Sequence, residues 1–104
     1  MKKVFFLLLA LSSILSSYSQ TAEEYYKRGS AKIDLKDYAG AIVEFSKAIE
    51  LNPNYESAYY SRGVAKEELQ DYRGAIADYT KTIEISPKNP FAYNSRGDIK
   101  VKLQ

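Results

Sequence analysis

Three arginines, Arg28, Arg62 and Arg96, recur at a spacing of about 34 residues. Each is followed by a glycine and preceded three residues earlier by a tyrosine, Tyr25, Tyr59 or Tyr93. A ladder of guanidinium groups could bind phosphate or carboxylate through paired hydrogen bonds. The competing reading is internal: ion pairs to Glu44 and Asp78 on a facing helix, with the arginine stems packed along the core. The sequence favours the internal reading, because arginine so often pairs with carboxylates at partly buried sites. Other chemistry is scarce. The chain has no cysteine and no histidine. That excludes disulfides, thiol nucleophiles, zinc–thiolate sites, histidine-ligated metals and histidine-assisted nucleophiles. The carboxylates are scattered over helix faces, with no paired cleft, no Gly-rich phosphate loop and no metal cluster. Glu67-Glu68 reads as solvated surface. Neither an enzyme nor a cofactor is expected.

The elements that carry these residues repeat with them. Tyr25, Gly29, Lys32, Leu35, Asp37, Tyr38, Gly40, Ala41 and Ile42 return as Tyr59, Gly63, Lys66, Leu69, Asp71, Tyr72, Gly74, Ala75 and Ile76. Roughly 16 of the 34 positions in the two copies are identical, too many for chance at one fixed offset. A third copy opens with Tyr93, Gly97, Lys100 and Leu103. The blocks are residues 22–55, 56–89 and a partial 90–104.

Each full block predicts two helices, the first running from Ala22 to about Lys36 and the second from the Asp37 cap to about Leu51. Tyr38, Ala41, Ile42, Phe45, Ala48 and Ile49 fall at steps of three and four, so they share one face. Asn52-Pro53 and Ser86-Pro87 stop the second helices, and Asn89-Pro90 starts the last one. A glycine inside a helix costs about 1 kcal/mol relative to alanine, so the return of Gly29 as Gly63 predicts a close helix crossing. The small residues expected to meet there are Ala41 and Ala75. One such pair cannot cover its own apolar face, and stacking the next pair on it can.

This spacing resembles the tetratricopeptide repeat. The family's bulky aromatic, glycine, alanine, aromatic, alanine and proline positions are Tyr25, Gly29, Ala41, Phe45, Ala48 and Pro53, then Tyr59, Gly63, Ala75, Tyr79, Thr82 and Pro87. Thr82 departs from alanine, and Arg28 and Arg62 replace the usual leucine before the glycine. The resemblance implies an all-α fold, a right-handed α-solenoid of antiparallel helix pairs with about two and a half repeats. It also implies a concave face lined by the first helix of each pair. Carried over by position, the peptide-binding residues are Tyr26, Ser30 and Ile33 from the first copy, Tyr60, Val64 and Glu67 from the second, and Asn94 and Asp98 from the third. Tyr25 and Tyr59 are expected on the core side, leaving Tyr26 and Tyr60 to form an aromatic ladder or merely to cover the groove wall. Some members clamp the terminal carboxylate of chaperone tails with lysine and asparagine. Tyr26, Ser30 and Ser61 stand at those positions here, so that clamp is absent.

The N-terminal stretch is read separately. Met1-Lys2-Lys3, an apolar run from Val4 to Leu15 and Ser17-Tyr18-Ser19 have the order of a secretory signal, residues 1–19, cleaved before Gln20. The alternative is an uncleaved anchor. Of the 15 basic residues, Lys2 and Lys3 lie in this stretch, which leaves 13 against 13 acidic ones. A neutral mature domain is a poor partner for nucleic acid or anionic membrane. The expectation is therefore a non-catalytic module in an exported compartment (periplasm, outer-membrane associated or secreted), holding a peptide or helix of a partner protein. The alternative is a self-associating structural unit, a homodimer through a C-terminal end where Phe91, Ile99, Val101 and Leu103 lack the polar face of a cap.

Overall fold

A computed structural model describes residues 20–104, and the signal segment read in residues 1–19 lies outside them. Five helices follow one another: α1 Ala22–Asp34, α2 Tyr38–Leu51, α3 Glu56–Glu68, α4 Tyr72–Ile85 and α5 Pro90–Lys102. Each packs on the next, and α1 also touches α3. No strand occurs among the described residues. This is the right-handed α-solenoid, α1 with α2 and α3 with α4 as its complete pairs.

Four of the five helix starts carry a side-chain cap, and the start of α3 carries none. Asp37 and Asp71 accept from the backbone N–H groups of Gly40 and Gly74, at 3.0 and 3.1 Å. Thr21 caps α1 by accepting from Glu24 N. Asn89 caps α5 by accepting from Ala92 N, with Pro90 at the first turn where a missing N–H costs nothing. The first helices stop slightly short of the expected Lys36. Leu35 and Leu69 close them, and Lys36 and Gln70 then turn through left-handed backbone with φ of 60° and 64°.

The core runs between the helix pairs. Ala41, Phe45, Ala48, Ala58, Ala65, Ala75, Tyr79, Ala92 and Ile99 are buried. The crossing differs in one respect from the expectation. Gly29 and Gly63 make room for the aromatic rings of the facing helices, rather than for Ala41 and Ala75. A β-carbon on Gly29 would lie 2.5 Å from Phe45 Cε1, and one on Gly63 would lie 2.7 Å from Tyr79 Cε1. The ring takes the space a β-carbon would occupy, which is more than an alanine on the facing helix needs. Thr82, at a position expected to hold alanine, is fully buried and donates its hydroxyl to the Asp78 carbonyl one turn back at 2.9 Å. That bond supplies the partner a buried hydroxyl requires.

Candidate functional site

The arginine ladder is not uniform. Arg62 on α3 grips Asp78 on α4 with two parallel bonds, and its Nη1 donates to Ser46 Oγ on α2 at 3.2 Å. Lys66 adds a second cation to Asp78 at 3.0 Å. Hydrogen bonding to Asp78 raises the Arg62 pKa above its ordinary value, against the opposing effect of burial. Arg96 repeats only the contact between repeats, donating to Thr80 Oγ1 at 3.3 Å. Arg28 does not reach Glu44. It is exposed and donates to Gln20 Oε1 at 2.7 Å, while Lys32 takes Glu44 at 3.5 Å. Glutamate is one methylene longer than Asp78, and its carboxylate sits toward Lys32 instead. Each of these arginines also lies over its tyrosine, Tyr25, Tyr59 or Tyr93, with 5.5 to 5.6 Å to the ring centroid.

Those tyrosines are not in the core. Tyr25 and Tyr59 are half-buried, and Tyr59 donates its hydroxyl to the Pro53 carbonyl at 3.0 Å. The stacked arginine and lysine side chains keep them at the surface. Tyr26 and Tyr60 in turn lean on core rings. Tyr26 stands between Phe45 and Tyr55, at centroid distances of 5.7 and 5.2 Å, and Tyr60 packs on Tyr79 at 5.5 Å.

A cleft of about 260 Å³ opens between α1 and α3. Ser30, Ile33 and Asp34 form one wall, Tyr60, Ser61 and Val64 the other, and Phe45 lies at its base. The helix period explains the set, because residues three and four apart on each helix share the face that looks across the gap. Ser30, Ile33, Tyr60 and Val64 therefore meet at one place. Tyr26 is not among its lining residues and packs instead on Phe45, the ring at its base. Glu67, Asn94 and Asp98 are not among its lining residues. Asn94 and Asp98 are exposed on α5. Glu67 is not free surface: it accepts from the Tyr79 hydroxyl at 2.9 Å and pairs with Lys102 at 3.6 Å. Burial, then the bond to Glu67, pushes the Tyr79 phenol well above its ordinary pKa of 10.0. Phe45 was readable from the sequence only as core, since its spacing gives burial and not the opening beside it. Asp34 is the sole charged residue lining the cleft, and no lysine or arginine lines it. Among the described residues there is no metal-ligating cluster, and no helix is long and apolar enough to cross a membrane.

Paired antiparallel helices, a glycine under each facing ring and a cleft between successive first helices define a helical-repeat scaffold. The chain belongs to the tetratricopeptide repeat family. One family model, described as a TPR repeat, matches residues 29–70, and another, the tetratricopeptide repeat, matches residues 57–89. Among solved structures, the first TPR of Spaghetti (RPAP3) bound to the HSP90 peptide SRMEEVD is similar, with TM-score 0.78 and 34% identity over 80% of this chain and 66% of that one. MamA matches with TM-score 0.75 and 38% identity over 76% of this chain and 46% of that one. The second TPR domain of human RPAP3, in complex with the HSP70 peptide SGPTIEEVD, matches with TM-score 0.74 and 26% identity over 77% of this chain and 67% of that one. The chain thus spans less than half the length of MamA and about two thirds of the other two. No curated protein gives a significant match.

Proposed function

We infer that the domain is a non-catalytic binding module whose α1–α3 cleft holds a segment of a partner protein. The observation that carries this is the cleft itself: an apolar floor and walls with two serine hydroxyls and one carboxylate, Asp34, at its edge. Such a surface suits an extended or helical segment that contributes apolar side chains and a neutral or basic flank. The similar RPAP3 domains hold the HSP90 peptide SRMEEVD and the HSP70 peptide SGPTIEEVD, both of which end in acidic residues around a valine. Here no lining residue is a lysine or arginine, so an acidic tail meets Asp34 with no cation to offset it. The order of charge, apolar run and small residues in 1–19 supports work in an exported compartment.

A random peptide library panned against the domain tests this reading. Selected peptides should be neutral or basic and should shift the backbone resonances of Ser30, Ile33, Ser61 and Val64. Selection of acidic peptides that shift none of these would sink it. Self-association is the second reading, supported by Phe91, Val101 and Leu103, which are 68%, 69% and 48% exposed on and just after α5. A molar mass of one chain in solution removes it.

A further inference from the structure

Arg62 is received inside the molecule by a carboxylate, a hydroxyl and a tyrosine ring. Asp78 takes it through two bonds, Ser46 Oγ accepts from Nη1, and the Tyr59 ring lies against its guanidinium with 5.6 Å to the centroid. The α1–α3 cleft presents the same kinds of group to solvent. Asp34 supplies the carboxylate, Ser30 and Ser61 supply hydroxyls from opposite walls, and Tyr60 supplies the ring, with Phe45 at the base. What the cleft lacks is the cation. No lysine or arginine lines it, and among the described residues Asp34 forms no ion pair. The lysines in the last turns of α1 and α3 are engaged elsewhere, Lys32 with Glu44 and Lys66 with Asp78. Lys36, just past α1, does not line the cleft.

Asp34 is also placed against the preference of its own helix. It is the last residue of α1, where the helix dipole favours a cation and disfavours a carboxylate. As first helices of antiparallel pairs, α1 and α3 run in the same direction, so the negative ends of both dipoles fall at the Asp34 end of the cleft. The cleft is thus apolar along Ile33, Val64 and Phe45 and negative at one end. That is the complement of a side chain with an apolar stem and a cationic head.

We propose that the cleft is a receptor for one arginine side chain of the partner segment. The stem lies along Ile33 and Val64 over Phe45, and the guanidinium reaches Asp34 and the Ser30 and Ser61 hydroxyls. This selectivity presupposes that the cleft is the binding site, and it names what that site selects. Arginine is preferred to lysine because its planar fork of donors can serve a carboxylate and two hydroxyls at once. It is also more weakly hydrated than an ammonium and stacks on aromatic rings, so it enters an apolar cleft at less cost.

The probes are fluorescein-labelled, amidated heptapeptide pools, randomised except at the centre, where each pool carries arginine, lysine, citrulline, norleucine or glutamate. Each is titrated by fluorescence anisotropy into the full chain and into its Asp34→Asn, Asp34→Arg and Ser61→Trp variants. The arginine pool should bind about tenfold or more tighter than the citrulline pool, which keeps the shape and loses the charge. It should also bind several-fold tighter than the lysine pool. Asp34→Asn should bring arginine and citrulline level, and Asp34→Arg should move the preference to glutamate. Asp34 is exposed and unpaired, so neither variant should melt below the parent. Equal affinity for the arginine and citrulline pools overturns the proposal, as does an arginine preference that survives Asp34→Asn, or no binding by any pool. Tightest binding by the norleucine pool, abolished by Ser61→Trp, also overturns it but leaves the cleft as the site. Arginine-pool binding that Ser61→Trp leaves unchanged removes the cleft and the arginine site together.

Discussion

Arg62 Nη2 lies 2.7 Å from Asp78 Oδ1, and its Nε lies 2.8 Å from Oδ2, so the two side chains meet as a two-pronged pair across α3 and α4. Asp78 is only 3% exposed and Lys66 shares it. Removing the acid strands two cations, whereas removing Arg62 leaves Asp78 with Lys66. Asp78→Ala is therefore expected to cost about 3 kcal/mol or more, and Arg62→Ala about 1.5–3 kcal/mol. Urea unfolding measures both. Equal losses would show that Lys66 does not sustain the pair.

The glycines separate by what covers them. Gly63→Ala pushes a methyl into the edge of the Tyr79 ring and should cost about 1–3 kcal/mol through overpacking. Gly97→Ala meets open space and should gain up to about 1 kcal/mol from helix propensity alone. Thermal melts of the two variants in parallel decide it: two losses, or two gains, contradict the placement of the rings.

Much of this was legible in the sequence, and the reason is periodicity. The 34-residue spacing, the Asp caps and the Pro stops act within a few residues of where they stand, so they predict five helices and their pairing. What was not legible depends on side-chain length and on neighbours from other repeats. Glu44 and Asp78 occupy the same position, yet only the aspartate takes the arginine. Glu67 looks like surface until the Tyr79 hydroxyl reaches it from α4. The cleft showed half of itself: Ser30, Ile33, Tyr60 and Val64 follow from position, whereas Glu67, Asn94 and Asp98, chosen by the same rule, do not line it.

Lys36 and Gln70 adopt left-handed backbone after α1 and α3. A side chain is strained there and glycine is not. Lys36→Gly and Gln70→Gly should each stabilise by about 0.5–1 kcal/mol, nearly additively because they sit in different repeats. A loss in either variant would mean that its side chain makes a contact worth more than the strain.

Tyr79 ties stability to alkaline pH. Its folded pKa is raised above the unfolded value of 10.0, chiefly by burial. The stabilisation is complete below that value and is lost progressively as pH rises from there toward the folded pKa, because the unfolded chain then releases a proton that the folded one keeps. Melting temperature should fall more steeply above pH 10 in the parent than in Tyr79→Phe. Parallel curves would place the phenol in contact with water.

Tyr60 lines the cleft and packs on Tyr79, and Tyr26 packs on Phe45 at its base, so Tyr60→Ala should lose stability as well as affinity. Each truncation is expected to cost about 2 kcal/mol in peptide binding. Tyr60→Phe keeps the ring contact with Tyr79 and should restore melting and most of the affinity. If Tyr60→Phe binds as poorly as Tyr60→Ala, the hydroxyl rather than the ring makes the contact.

The role of the cleft is tested most directly by the affinity of one library-selected peptide for the parent and for Ser61→Trp. The indole fills the space between α1 and α3, over the Phe45 ring at its base. The account predicts binding about tenfold weaker or worse at an unchanged melting temperature. Unchanged affinity in the folded variant would contradict it and move the site elsewhere on the solenoid.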